Sequence, residues 1–289
     1  RIGSTQLETV AYHLFNLSFI SIGLTRDTNP QHSGARRGNI FKGSLWMALT
    51  QGITFPVQAI IGGLTVLVFG FFGTDLFATF GFLAPLGFNE GPGQALSFGK
   101  VWEGIGFDHA VTIGLTFAAV GFIFAFFIGV PLANWGLRRG LAAGGHKSLP
   151  KEFLRGLRPV DSNAESAGQL NLHSSNIDSL AFQTAVAGLV YLLTYFAVDG
   201  LGRLAGGDVA KMLWGFFFFF GLAVSLLVRW TMDRLGVGYL LDPGLQKRIT
   251  GWSVDYLIVA TIPAIQLAVV WQYLVPIALI SITNGILTL

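Results

Sequence analysis

Leu86-Gly87-Phe88-Asn89-Glu90-Gly91-Pro92-Gly93-Gln94 is a glycine-proline break carrying a carboxylate, set between apolar flanks in a chain whose other stretches are mostly apolar. A lipid interior offers no partner for free N–H and C=O groups. An unwound segment at that depth therefore persists only where protein or a water-filled cavity satisfies it. Two apolar half-helices that end at one loop aim their dipoles, amides and carbonyls at a common point, which suits the holding of a polar solute. The break thus decides the fold class: an all-α polytopic membrane protein with a re-entrant or broken glycine-rich segment.

Composition agrees. Of 289 residues 52% are hydrophobic and 11% charged, and the charges cluster between long uncharged runs, the pattern of a multi-span membrane chain. The absence of Cys excludes disulfides, thiolate metal sites and cysteine nucleophiles together. A formal charge of +3 is no nucleic-acid signal, because the basic residues lie in short loops, where they set orientation. No phosphate loop, serine elbow or zinc spacing occurs, so neither an enzyme nor a cofactor is expected. No signal peptide is visible, and a start at Arg1 with a stop at Leu289 inside an apolar run makes both ends look cut.

The apolar runs predict membrane segments over 7–24, 43–72, the broken 77–105, 110–137, 177–198, 212–228, 253–267 and 269–289. Between the fourth and fifth lies the one long polar stretch, with a short amphipathic piece expected at 153–157. The organisation that follows is a first transmembrane repeat over 1–139, a cytoplasmic linker over 140–176, and a second, truncated repeat over 177–289.

Basic residues fix a topology. Arg26, Arg36, Arg37 and Lys42 fill the first loop; Arg138, Arg139, Lys147, Lys151, Arg155 and Arg158 fill the linker; Arg229, Arg234, Lys247 and Arg248 precede the last pair. These three regions belong on the cytoplasmic side. The other connections hold only Lys100, Arg203 and Lys211, offset by Asp75, Glu103, Asp108, Asp199 and Asp208. Segment 43–72 then runs outward and 110–137 inward, so the break between them must begin and end on one side, as a re-entrant hairpin with 89–93 at its tip. Segments 7–24 and 253–267 are both short and polar-studded but run in opposite directions, the pattern of inverted-topology repeats. A complete symmetry expects a second re-entrant loop beyond Leu289.

Glu90 is the carboxylate that this topology places at the tip, and an ionisable group at membrane depth is a functional-site hypothesis by default. Asn89, Gln94 and Ser97 are natural co-ligands for a polar solute, while Gly87, Gly91 and Gly93 permit backbone angles closed to other residues. In the first segment Ser18, Ser21 and Thr25 share one helical face, and Thr9, His13 and Asn16 another. Asn16, Ser18, Ser21 and Glu90 are oxygen donors suited to a hard cation such as sodium, with interhelical hydrogen bonding as the alternative. His13 is expected to be a packing histidine. Asp255 is placed to pair with the basic loop before it and is a candidate for coupling. Gly114, Gly121 and Gly129 lie on one stripe, expected to be a close-packing face. The run 216–220 is expected to face lipid or fill an interface. Trp46, Trp102, Trp135, Trp214 and Trp230 are expected as interfacial anchors, and Pro56, Pro131, Pro263 and Pro276 as kinks.

The run Phe15-Asn16-Leu17-Ser18-Phe19-Ile20-Ser21-Ile22-Gly23-Leu24, followed by a basic loop, resembles the segment of bacterial sodium/glutamate symporters that ends in Ile-Gly-Leu. Gly91-Pro92-Gly93-Gln94-Ala95 and, downstream, Gly129-Val130-Pro131-Leu132-Ala133-Asn134-Trp135 look like that family's Gly-x-Gly-x-Ala break and the Gly-Gly-Pro-like close of its next helix. Residues 251–267 are similar, without gaps, to the matching segment of the second half. The resemblance implies an inner-membrane, multi-pass, dimeric carrier built from two inverted repeats. It would drive the symport of glutamate or a related small organic anion or amino acid with sodium, and Gly91, Gly93 and Gln94 would line its site. One departure stands out. Where the family break reads Gly-His-Gly, this chain has Asn89-Glu90-Gly91, and a carboxylate there repels a glutamate side chain unless it is protonated or paired with a cation. Two other readings stay open: a proton-coupled carrier of a neutral or cationic solute, and a channel or scaffold without sodium-coupled transport.

Overall fold

The computed structural model describes residues 3–25, 35–141, 167–173 and 175–288. Arg26, most basic residues of the linker and the expected amphipathic piece at 153–157 lie outside the described residues. Among the described residues every regular element is helical. In chain order these are α1 (Ser4–Leu24), α2 (Ala35–Phe71), α3 (Pro92–Glu103), α4 (Ala110–Phe124), α5 (Val130–Arg138), α6 (Ser179–Ala205), α7 (Gly207–Gly215), α8 (Phe217–Arg234), α9 (Pro243–Ala264), α10 (Leu267–Gln272) and α11 (Leu274–Leu287). Among the described residues four helices are long and apolar enough to cross a membrane, or up to five if the bent pair α7 and α8 counts as one span.

The hairpin around the glycine-proline break has a definite path. A 3₁₀ turn at Phe80–Phe82 leads into a π-turn at Pro85–Asn89, and Gly91, at φ 97°, then reverses the chain before Pro92 opens α3. Glycine tolerates that left-handed backbone, and proline suits a first helical position whose N–H has no partner in any case. Leu83 packs at Gly114, Gly87 at Gly114 and Ala118, and Phe88 at Gly121, so the descending limb runs along α4 in the same direction. Ala95 returns to Gly114 and Gly99 to Val111, so α3 runs back against it. Both limbs therefore lie on α4 and the chain turns at Glu90-Gly91. Gly121 lies in the stretch Ala110–Arg138 of 29 residues, about 16 Å from its start at ~1.5 Å per residue. The turn thus sits near the middle of that stretch.

The glycine stripe of α4 is the floor on which the hairpin rests at Gly114 and Gly121. Gly129 is not part of it: it meets only the carbonyl of Phe124 in its own helix, at 4.0 Å. It lies in the π-turn Ala125–Gly129 that absorbs the missing N–H of Pro131, as π-bulges do. Pro263 falls at the end of α9 and Pro276 in the first turn of α11, whereas Pro56 lies inside α2.

α1 is the most enclosed of the long helices, with half of its apolar window inside the protein. It runs parallel to α8: Ile20 packs at Gly221, Gly23 at Ser225, and Arg229 Nη1 donates to the Thr25 carbonyl (2.8 Å). It runs antiparallel to α9: Leu241, before α9, clusters with Ile20 and Leu24, whereas Leu257, Ala260 and Ala264 cluster with Ala11 and Phe15. Both helices end in the same extended backbone, Thr25 at φ −67°, ψ 124° and Ile265 at φ −67°, ψ 121°. The two segments expected to be repeat-related are thus adjacent and oppositely directed.

Several segment boundaries differ from the sequence expectation: α2 starts at Ala35 and α6 runs on to Ala205, and three further segments change more. The expected segment 212–228 is broken, with α7 and α8 meeting at 66°. The cause is tertiary, because Gly215 admits Val101 of α3 and the Phe216 ring stands edge-on to Phe98 (5.1 Å between centroids). Segment 253–267 begins earlier, at Pro243, where the Asp242 carboxylate accepts from the Leu245 N–H (2.7 Å) and caps the helix. Segment 269–289 is two helices, α10 and α11, meeting at Tyr273.

Candidate functional site

The hairpin tip has polar company. Asn89 Nδ2 lies 3.5 Å from Thr54 Oγ1 of α2, and Gln58, one turn on and so on the same face, is buried with its Oε1 unpartnered. On the other side the Phe88 ring meets Phe124 edge-on (5.2 Å), and the Phe124 ring fills the place of a side chain at Gly285. That chain of contacts brings α11 to the level of the tip, where Asn284 is fully buried with both amide atoms unpartnered. A buried polar group without a partner costs about 1–3 kcal/mol.

The residues expected at the site divide into groups. Gly93 is in the interior with the Phe15 ring lying on it, Gln94 is half-buried with its Oε1 unpartnered, and Gly91 is open, with nothing near its missing side chain. Glu90 is exposed at the tip, and Asn89 is half-buried beside it. Ser97, two turns up α3, is fully buried with a free hydroxyl and belongs to a different cavity, shared with Lys100 and Tyr12.

On α1, Ser18 Oγ donates to the Phe15 carbonyl (2.7 Å) and Thr25 Oγ1 to the Ser21 carbonyl (2.8 Å), back-bonds that satisfy the hydroxyls within the helix. Ser21 Oγ is buried without a partner. Asn16 is buried close to the hydroxyls of Tyr12 and Tyr191, although neither contact has hydrogen-bond geometry. No polar contact joins Glu90 to Asn16, Ser18 or Ser21. His13 Nδ1 and the Tyr191 hydroxyl are 2.6 Å apart, a packing arrangement between α1 and α6. Asp255 is exposed on α9 and pairs with no basic residue among the described ones. Among the described residues no group of three or more His, Asp or Glu side chains is close enough to hold a metal ion by such ligands alone.

Gln58, Thr54 and Asn284 were not singled out by the sequence, although a lone amide inside an apolar run is a signal for a buried polar role. The unpartnered amide of Asn284 gives a first expected result. Asn284→Val replaces a desolvated amide by a compact apolar side chain, so thermal unfolding in detergent should occur no lower than in the unsubstituted protein. A drop of several degrees would mean that the amide is structural and bonded. Neither protein-family models, nor curated proteins, nor solved structures match this chain, so the geometry of the hairpin carries its functional reading.

Proposed function

We propose that this chain is the core of a secondary active transporter, a multi-pass inner-membrane protein that moves a small organic anion or amino acid by symport with sodium. One observation carries the reading: a hairpin turns back at Glu90-Gly91 near the middle of the helical stretch Ala110–Arg138, with Asn89 at its tip reaching Thr54 of α2. Unwound backbone at such depth, next to polar groups, is the construction by which carriers hold solutes. The antiparallel α1 and α9 with matching extended ends support an inverted repeat, in which each half contributes a broken element. Solute type, sodium coupling and homodimeric assembly follow from the symporter resemblance. Asn89, Gly91, Gly93 and Gln94 would line the solute path, and Glu90 would hold the cation that balances an anionic cargo.

Uptake by proteoliposomes of the full-length protein tests the function: an inward sodium gradient should drive accumulation of an acidic amino acid, and uptake indifferent to sodium would defeat the reading. The hairpin has its own test. Single cysteines at Thr74 and His109, in a background without Cys, should both react with a membrane-impermeant maleimide added from outside. Reaction of the two from opposite sides would turn the hairpin into a broken span and remove the argument.

A further inference from the structure

At the end of the bundle opposite the linker, a cavity of about 350 Å³ opens between α1, α3 and α7. Ser97 lines it, fully buried and with an unpartnered hydroxyl. Lys100, one turn on, also lines it, with its ammonium 5.1 Å from the centre of the Tyr12 ring. Among the described residues no carboxylate reaches that ammonium within ion-pair distance; Glu8 and Glu103 act on it only from further away. Lys211 at the rim is already engaged, to Asp208 (3.1 Å) and the Gly104 carbonyl (3.4 Å). The Tyr12 hydroxyl is spent on the Trp214 carbonyl (2.5 Å). The donors left to a ligand are therefore the Lys100 ammonium and the Ser97 hydroxyl, while Val101 and Trp214 supply apolar wall.

We propose that this cavity binds a small monocarboxylate with a short apolar body, its carboxylate received by Lys100 Nζ and Ser97 Oγ and its hydrocarbon part by Val101 and Trp214. An ammonium over an aromatic ring, with a hydroxyl one turn away on the same helix, offers donors, one of them charged, to a carboxylate acceptor. The two distant carboxylates leave little net positive charge, which disfavours a dianion such as hydrogen phosphate. The apolar wall favours a ligand with carbon to bury. Lys100 lies nine residues along α3 from Gly91, about 13 Å at the helical rise, so this site is separate from the hairpin tip and stands whether or not the tip carries a solute.

The test uses the purified full-length protein in nanodiscs of zwitterionic lipid, with butyrate as the probe and butyramide as its neutral isostere. Binding is read by saturation-transfer NMR and by the fluorescence of Trp214. Butyrate should bind saturably and butyramide should not. Lys100→Met should weaken butyrate at least tenfold, Ser97→Ala severalfold, and Lys100→Arg little, with all three melting near the unsubstituted protein. Trp214→Phe should remove the fluorescence change while leaving the NMR signal, and Asn89→Ala should change neither. No saturable binding, equal binding of butyramide, tighter binding of inorganic phosphate, or butyrate binding unaffected by Lys100→Met would each overturn the proposal. Loss of butyrate binding in Asn89→Ala would move the carboxylate to the tip and overturn it as well.

Discussion

Gly87→Val is expected to prevent the hairpin from docking, with loss of monodisperse protein in detergent and a fall in stability of about 3 kcal/mol or more, at the upper end of overpacking penalties. A Cβ at Gly87 would run into the Gly114 carbonyl, and would also stand 2.9 Å from the Ala118 nitrogen and from the Phe117 Cβ. These are fixed atoms of α4, not the ends of flexible side chains, so neither limb is able to yield locally. The descending limb would have to lift off, taking with it the packing of Leu83 and Ala84 against Phe117 and Ile280. Gly91→Ala is the contrasting variant, because nothing lies within 4 Å of that position and only its backbone at φ 97° resists a side chain. At ψ −174° that backbone belongs to a region essentially reserved for glycine, so the cost of the variant should be about 1–3 kcal/mol. Size-exclusion profiles and melting curves of the two variants check this. A Gly87→Val protein that melts with the unsubstituted one would show that the limb is not seated on α4.

Gly87 also shows what the sequence made legible. A break with glycine and proline between apolar flanks, and glycines seven apart on α4, are local signals, and the structure joins them by laying one upon the other at Gly114 and Gly121. Gly129 continues the spacing but lies past the turn of the hairpin, where nothing arrives to pack on it. The bend between α7 and α8 had no such signal, because five consecutive phenylalanines give neither a helical face nor a stop. That bend is set by α3 at Val101 and Phe98, which is information from a distant part of the chain. In the same run Phe217 is buried while Phe219 is 57% exposed, so it is half interface and half outer surface. The early start of α9 was masked for another reason. Lys247 and Arg248 end the apolar run, yet the Asp242-Pro243 cap and the helical turn continue beneath them.

The tip residues were legible as a set but not as a place. Asn89, Gly91 and Gln94 follow from the break itself, whereas Thr54, which Asn89 reaches, comes from α2, some 35 residues away in the chain (54 against 89). Ser97 was grouped with the tip because it is close in sequence. Two helical turns carry it to another cavity, where Lys100 and Tyr12 are its neighbours. The oxygens of α1 show a further limit: a hydroxyl on the right face is not a free ligand when, as in Ser18, it is bonded to its own helix.

In full-length protein reconstituted into proteoliposomes, Glu90→Gln is expected to raise the sodium concentration for half-maximal uptake at least tenfold while leaving uptake at saturating sodium within about twofold. Glu90 is exposed at the tip and makes no ion pair among the described residues, so its charge is not spent on a structural partner. A carboxylate is a stronger ligand for a hard cation than the amide that replaces it, and a tenfold loss corresponds to about 1.4 kcal/mol. Folding should not change, since the substitution keeps the shape of an exposed side chain. The same measurement separates the competing readings. Unchanged sodium dependence with a flattened pH profile would make Glu90 a proton carrier, and an unchanged response to both would make it a bystander at the tip. In the sodium reading the negative charge at Glu90 is what distinguishes this break from a Gly-His-Gly tip: the cation it retains would offset the repulsion that an anionic solute otherwise meets there.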